Sequence, residues 1–158
     1  MSATRWHDAT VALVALFQAD PTLSTTLEVL VTDGLPISED YRPDLLVIGG
    51  TPDEGDTVLG TVSQEWHDSG SGSSPRKDET VTIRAYVCST TGDADLPATR
   101  ARAFTVMAAV ESVLRENRTI GLADVREVSL TDLTVTAAQY VDGTTVWLTF
   151  TIEVLSLI

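Results

Sequence analysis

The stretch PATRARAFTVMAAVESVLREN, from Pro97 to Asn117, decides the fold of this chain. Its apolar residues recur at intervals of three and four, which places them on one face of a helix: Ala103, Val106, Met107, Val110, Val113 and Leu114. Pro97 suits the first turn of a helix, where a missing N–H leaves no hydrogen bond unmade, and Gly121 ends the run. A lone helix cannot bury such a face, so the sequence predicts that this helix lies on a sheet.

The segments on both sides supply that sheet and a second helix. Trp6 to Ala19 is predicted to be helical, because its apolar residues share one face and Asp20-Pro21 ends it. Short apolar runs and alternating segments predict strands at residues 29–31, 44–48, 57–66, 79–88, 125–140 and 145–154. The elements come in runs of one kind, so the predicted fold class is α+β. We expect one mainly antiparallel sheet with two principal helices on one face, in a single domain over residues 1–158.

Two hairpins are predicted within the sheet. The first has a long loop, HDSGSGSSPRKD from His67 to Asp78, which we expect to be mobile because it is longer than a hairpin requires. The second turns at VDGT, residues 141–144. Just before it the alternation slips by one residue, which predicts a β-bulge near Thr131-Asp132.

Composition excludes several functional classes. The 158 residues include 23 Asp and Glu against ten Lys and Arg, a formal charge of −13. Such a surface repels phosphate backbones and argues against sequence-specific binding of DNA or RNA. No apolar run approaches the ~20 residues that span a bilayer, and the N-terminus does not have the pattern of a signal peptide. The single cysteine, Cys88, excludes an intramolecular disulfide and is predicted to be a buried structural thiol.

The residues predict no enzyme. Cys88 has no histidine at a spacing that would activate it as a nucleophile. Glu65, His67 and Asp68 could chelate a metal only if their loop folded, and they do not have the spacing of zinc or calcium ligands. The same holds for a second acidic group: Asp53, Glu54 and Asp56. We therefore expect no catalytic residue, cofactor or metal, with a small metal-dependent hydrolase using the histidine group as an alternative of a different class.

An interaction surface is predicted instead. Large aromatic residues stand on otherwise polar strand faces, and we expect them to share one face that docks another subunit. Arg76-Lys77, the only basic doublet, is predicted to lie on the loop, where it either aids solubility or meets an acidic surface of a neighbour. The predicted interface comprises Trp66, Tyr86, Trp147, His67, Asp68, Arg76 and Lys77.

The order of these segments resembles the tail terminator (tail completion) proteins of long-tailed bacteriophages, particularly those of actinobacterial phages. The likeness runs through most of the chain, from the N-terminal helix through VLVTDGLP (Val29 to Pro36) and DLLVIGG (Asp44 to Gly50). It continues with the central helix followed by RTIGL (Arg118 to Leu122) and a C-terminal hairpin with a glycine turn. The helix-then-IGL step and the DG-x-P turn are its most diagnostic parts.

This resemblance implies a structural virion protein that assembles in the host cytoplasm. A ring of identical subunits, usually six, would cap the tail tube, end tube polymerisation and join the head connector at the head–tail junction. The implied partners are further copies of the chain, the tail tube protein and the connector protein, with no membrane. DNA would pass through an acidic pore without specific binding. The alternatives within the same assembly are another head–tail connector or a tail tube subunit.

Overall fold

The computed structural model describes residues 4–36, 42–52, 58–67 and 75–158. In these ranges the helices are α1 (Trp6–Ala19) and α2 (Leu96–Glu116), and a single π-helical turn spans Thr22–Thr26. The strands are β1 (Leu30–Asp33), β2 (Asp44–Ile48), β3 (Gly60–His67), β4 (Arg76–Thr91), β5 (Val125–Tyr140) and β6 (Gly143–Leu157).

The described strands form one six-stranded sheet in the order β1-β2-β4-β6-β5. Strand β4 is long enough to pair with two strands along the same edge. It pairs with β3 along residues 76–83 and with β2 along residues 85–89. Strands β1 and β2 are parallel, whereas the remaining pairs are antiparallel. The predicted α+β class with a mainly antiparallel sheet is therefore confirmed.

Both helices pack on one face of the sheet and enclose the core. The six apolar residues predicted to line α2 are all buried, from Ala103 at 0% exposure to Leu114 at 5%. Leu13 and Phe17 of α1 enter the same cluster, where they join the inward side chains of β4 and β6. Because one amphipathic helix could not remove its own stripe from water, the sheet beneath it is what makes this burial possible.

Helix α2 begins where the sequence predicts. The carboxylate of Asp95 accepts a hydrogen bond of 3.1 Å from the backbone N–H of Ala98, and Pro97 follows in the first turn. The chain leaves the helix through Ile120 and Gly121, which both have positive φ. The buried Ile120 side chain then closes the core at that end.

The C-terminal hairpin confirms both of its predicted features. Tyr140 pairs with Gly143, so the turn has two residues. The register shifts by one residue between Thr131 and Thr134, and Asp132 within this shift has a φ of 57°. This is the predicted β-bulge, and it reverses the alternation for the rest of β5.

The first hairpin differs from the prediction. Its ladder continues outward until His67 pairs with Arg76, so residues 76–78 belong to β4 and not to the predicted loop. Strand β3 gains one residue beyond its predicted end and β4 gains three before its predicted start, and the alternation of inward and outward side chains continues through them. Residues 68–74 lie outside the described residues, and with them the expectation of a mobile loop and the position of Asp68.

Candidate assembly surfaces

The sheet face opposite the helices, called here the outer face, is rich in threonine. The β4–β6 and β5–β6 registers place alternate residues of these strands on it. Branched polar side chains suit an exposed strand, because they combine β-propensity with solubility. The threonines of this face include Thr61, Thr80, Thr82, Thr90, Thr131, Thr134, Thr136, Thr145, Thr149 and Thr151.

A small aromatic cluster interrupts this polar face. Tyr86 and Cys88 are buried there beside Val47, and Trp147 packs against them from β6. Cys88 and Trp147 are direct partners across the β4–β6 ladder. Next to the cluster lies a shallow cleft of about 320 Å³, lined by Thr51, Pro52, Arg84, Thr136, Trp147 and Thr149. The structure therefore brings together two of the predicted interface residues, Tyr86 and Trp147.

Burial changes the acid–base chemistry of this cluster. Desolvation raises the pKa of the Tyr86 hydroxyl to about 12, with a smaller contribution from neighbouring Cys88. Desolvation also raises the pKa of the Cys88 thiol, against a hydrogen bond with Thr90 that lowers it. Both groups are therefore neutral at pH 7, and the thiol is a poor nucleophile. The prediction of a buried thiol at Cys88 is confirmed.

Trp66 does not share the outer face, so the expectation of one common aromatic face is wrong. It pairs directly with Lys77, and Lys77 has the same alternation as the core residue Val81. The side of the sheet that carries the helices therefore carries Trp66 as well. Lys77 and Tyr86 are nine positions apart in β4, roughly 30 Å along the strand. The predicted interface residues thus form two separate groups.

The expectation that Lys77 lies on an exposed loop is also wrong, because Lys77 belongs to β4. It is only 8% exposed, its Nζ lies 5.2 Å from the centre of the Trp66 ring, and it approaches Glu79 Oε2 at 3.9 Å. Arg76, in contrast, is exposed and stands opposite His67. His67 Nε2 lies 2.9 Å from Asp78 Oδ2. This group, called here the hairpin end, comprises Trp66, His67, Arg76 and Lys77.

Sequence reasoning missed the residue that holds the hairpin end to α1. Glu79 is 1% exposed, and its carboxylate accepts hydrogen bonds from the backbone N–H of Arg5 at 2.6 Å and from Gln64 Nε2 at 2.6 Å. The hydroxyl of Thr4 donates a third bond of 3.0 Å. Glu79 has the same alternation as the apolar residues of β4, and that position of a carboxylate is the signal that could have identified it.

The described residues contain no group of three or more His, Cys, Asp or Glu side chains that could hold a metal ion. The hydrolase alternative joined Glu65 and His67 to Asp68, whose position lies outside the described residues, as do Asp53, Glu54 and Asp56. As for membranes, neither described helix has the length and apolar content needed to cross one.

Comparison with known proteins finds a likeness among solved structures. No protein-family model matches the chain, and no curated protein matches it either. A solved structure that is similar to it is a chain of the virion of a native gene transfer agent (GTA) particle. The TM-score is 0.51 at 15% sequence identity, and the match covers 93% of this chain and 94% of the other. At this identity the likeness concerns the fold, over nearly the full length of both chains.

Proposed function

We propose that this chain is a structural protein of a phage-like virion and not an enzyme. The observation that carries the proposal is the fold likeness to a virion protein from one end of the chain to the other. A match that covered one sheet or one helix pair could arise in many unrelated α+β proteins. Coverage of 93% and 94% instead means that the likeness extends over nearly the full length of both chains.

Exposed apolar side chains support an assembly role. Isolated apolar residues on a surface are ordinary, but here they gather along β3 with the residues just before it, and along β5 with its turn. Such strips are typical of surfaces that another protein covers. The exposed residues of these two strips are Val58, Leu59, Val62, Trp66, Leu133, Val135, Tyr140 and Val141.

Within the virion, the proposed role is that of a tail terminator. A ring of identical subunits, six by the family resemblance, sits on the last ring of the tail tube, ends its polymerisation and presents its other side to the head connector. The proposed contacts come from both groups of interface residues and from Asp68. Lys77 supports the exposed ring of Trp66 from beneath, and the other contact residues are His67, Arg76, Tyr86 and Trp147.

The net negative charge of the chain would help DNA to pass through such a ring. Six copies would multiply the formal charge of −13 sixfold around a central pore. A pore of the same sign as DNA lets the duplex pass without adhering to the wall. Lysines introduced on the pore wall should slow DNA release from assembled particles, and unchanged release kinetics would contradict this part of the proposal.

The proposal is tested with the tail tube protein of the same particle. We expect a small amount of the chain to limit tube length in negative-stain images and to leave a ring at one end of each tube. Trp147→Ala should weaken this capping, whereas Phe104→Ala, a matched aromatic truncation on the exposed side of α2, should not. Unchanged tube lengths with bare tube ends would overturn the terminator role. Long tubes made by the chain alone would identify a tube subunit instead.

A further inference from the structure

A cleft of about 280 Å³ lies between the C-terminal end of α2 and the first half of β5. Apolar side chains form part of its lining, two arginines lie at the helix end, and one glutamate and one serine complete it. Its residues are Leu114, Val128, Leu130, Arg115, Arg118, Glu111 and Ser129. We call this site the α2–β5 cleft.

The cleft is basic, although the chain has only ten cationic residues against 23 acidic ones. Two arginines, Arg42 and Arg102, also line another cleft, but Glu28 and Asp44 balance them there. Arg115 is 83% exposed and lies 3.8 Å from Glu111, so the second arginine, Arg118, leaves the cleft with one net positive charge. A cleft of mixed lining, with apolar side chains beside a net positive charge, favours an occupant that combines an apolar side chain with a carboxylate.

The same chain presents such an occupant at the turn between β5 and β6. Tyr140 is 68% exposed, Val141 is 102% exposed, and the carboxylate of Asp142 follows directly in the chain. These three residues are called here the hairpin tip. Gln139 Nε2 donates a hydrogen bond of 3.1 Å to the carbonyl oxygen of Ala94, which fastens the tip to the loop before α2. The tip is therefore a preorganised projection.

The hairpin tip cannot fill the cleft of its own chain. Leu130 in the cleft and Tyr140 in the tip belong to the same strand and are ten residues apart, roughly 33 Å along β5. The complementary surfaces thus lie at opposite ends of one rigid ladder. A contact between two different patches of identical subunits is heterologous, and it closes into a ring when the rotation between subunits allows.

We propose that the hairpin tip of one copy docks into the α2–β5 cleft of the next. Val141 enters between Leu114, Val128 and Leu130, while Asp142 faces the arginines at the helix end. The inference rests on the proposed function, because a ring of identical subunits needs a head-to-tail contact of this kind. It adds to that function the two surfaces that form the contact.

Two single-cysteine additions test the contact directly. Val141→Cys and Ser129→Cys are prepared with different tags, mixed and treated with a short bismaleimide, while the native Cys88 is buried and stays unreactive. We expect a cross-linked product that contains both tags. The control replaces Ser129→Cys by Ala15→Cys, on the exposed side of α1, and should give no such product. Absence of the mixed product from both free protein and capped tubes overturns the inference, as does a product formed only between two Val141→Cys chains.

Charge reversal separates a specific contact from random collision. Arg118→Glu in the Ser129→Cys chain, or Asp142→Arg in the Val141→Cys chain, should each lower the yield of mixed product about tenfold. The two reversals together should restore most of it, and a failure to restore it would overturn the inference. Capped tubes without the mixed product would leave the terminator role standing and refute only this contact. Mixed product without capping would support this contact and refute the terminator role.

Discussion

The indole Nε1 of Trp6 donates a hydrogen bond of 3.0 Å to the carbonyl oxygen of Thr82, and Gly60 lies against both groups. A β-carbon at Gly60 would stand 2.0 Å from that oxygen and 2.3 Å from the indole nitrogen. Glycine is therefore the residue that lets β3 begin beside β4 while α1 stays in place. Gly60 thus lies where α1, the first residue of β3 and the middle of β4 meet.

Gly60→Ala should destabilise the protein strongly. The added methyl group meets a backbone oxygen, which cannot move away without disturbing the β3–β4 ladder, so we expect a loss of about 1–3 kcal/mol of unfolding free energy. Urea denaturation followed by circular dichroism measures it. Gly92→Ala is the matched control, because a β-carbon there has no heavy atom within 4 Å and φ is not positive. Similar losses for the two variants would contradict the packing argument.

Glu79→Ala should be among the most damaging polar substitutions. It removes the acceptor of three hydrogen bonds that tie residues Thr4 and Arg5 to β3 and β4, in a site where water does not readily replace it. We expect a loss of about 3 kcal/mol, measured by urea denaturation. The control Glu116→Ala, on an exposed helix end, should change stability by less than about 0.5 kcal/mol. If Glu79→Ala lost no more unfolding free energy than Glu116→Ala, the hydrogen bonds of Glu79 would not contribute to stability.

Tyr86 should make stability fall at high pH. Its pKa is raised in the folded protein to about 12, so folding favours the neutral hydroxyl. This contribution is complete below the unfolded pKa of about 10 and is lost as pH rises through the folded value. The unfolding free energy of the native protein should therefore decrease more between those pH values than that of Tyr86→Phe. Equal pH dependence of the two proteins would contradict the assignment.

At the β-bulge, glycine should be tolerated at position 132 within the strand. Asp132 has a φ of 57°, a conformation that aspartate tolerates and β-branched residues do not. We expect Asp132→Gly to be neutral or slightly stabilising and Asp132→Val to cost about 1–2 kcal/mol. Thr134→Val, at the neighbouring exposed position after the bulge, serves as the control and should change little. Thermal unfolding measures all three, and equal effects of valine at both positions would argue against the bulge.

Periodicity predicted the parts of the fold that local chemistry controls. The stripe of α2, its start at Pro97 and the slip of alternation at Thr131-Asp132 all depend on residues within a few positions of one another. The end of α2 does not follow from Gly121, because the helix already ends at Glu116. The same reasoning failed for the hairpin end. A strand pattern does not show how far its ladder extends, and so Lys77 was placed in a loop when it lies buried under Trp66.

The sequence by itself determined the α+β class, the helix faces, the β-bulge and the buried thiol, because each is a consequence of side-chain spacing along one segment. Tertiary structure alone decided which faces the aromatic residues occupy, since strand register places Trp66 beside the helices and Trp147 on the outer face. It also decided that Glu79 joins α1 to the hairpin end. Pairing between distant segments depends on the shape of the whole core, and no local spacing specifies it.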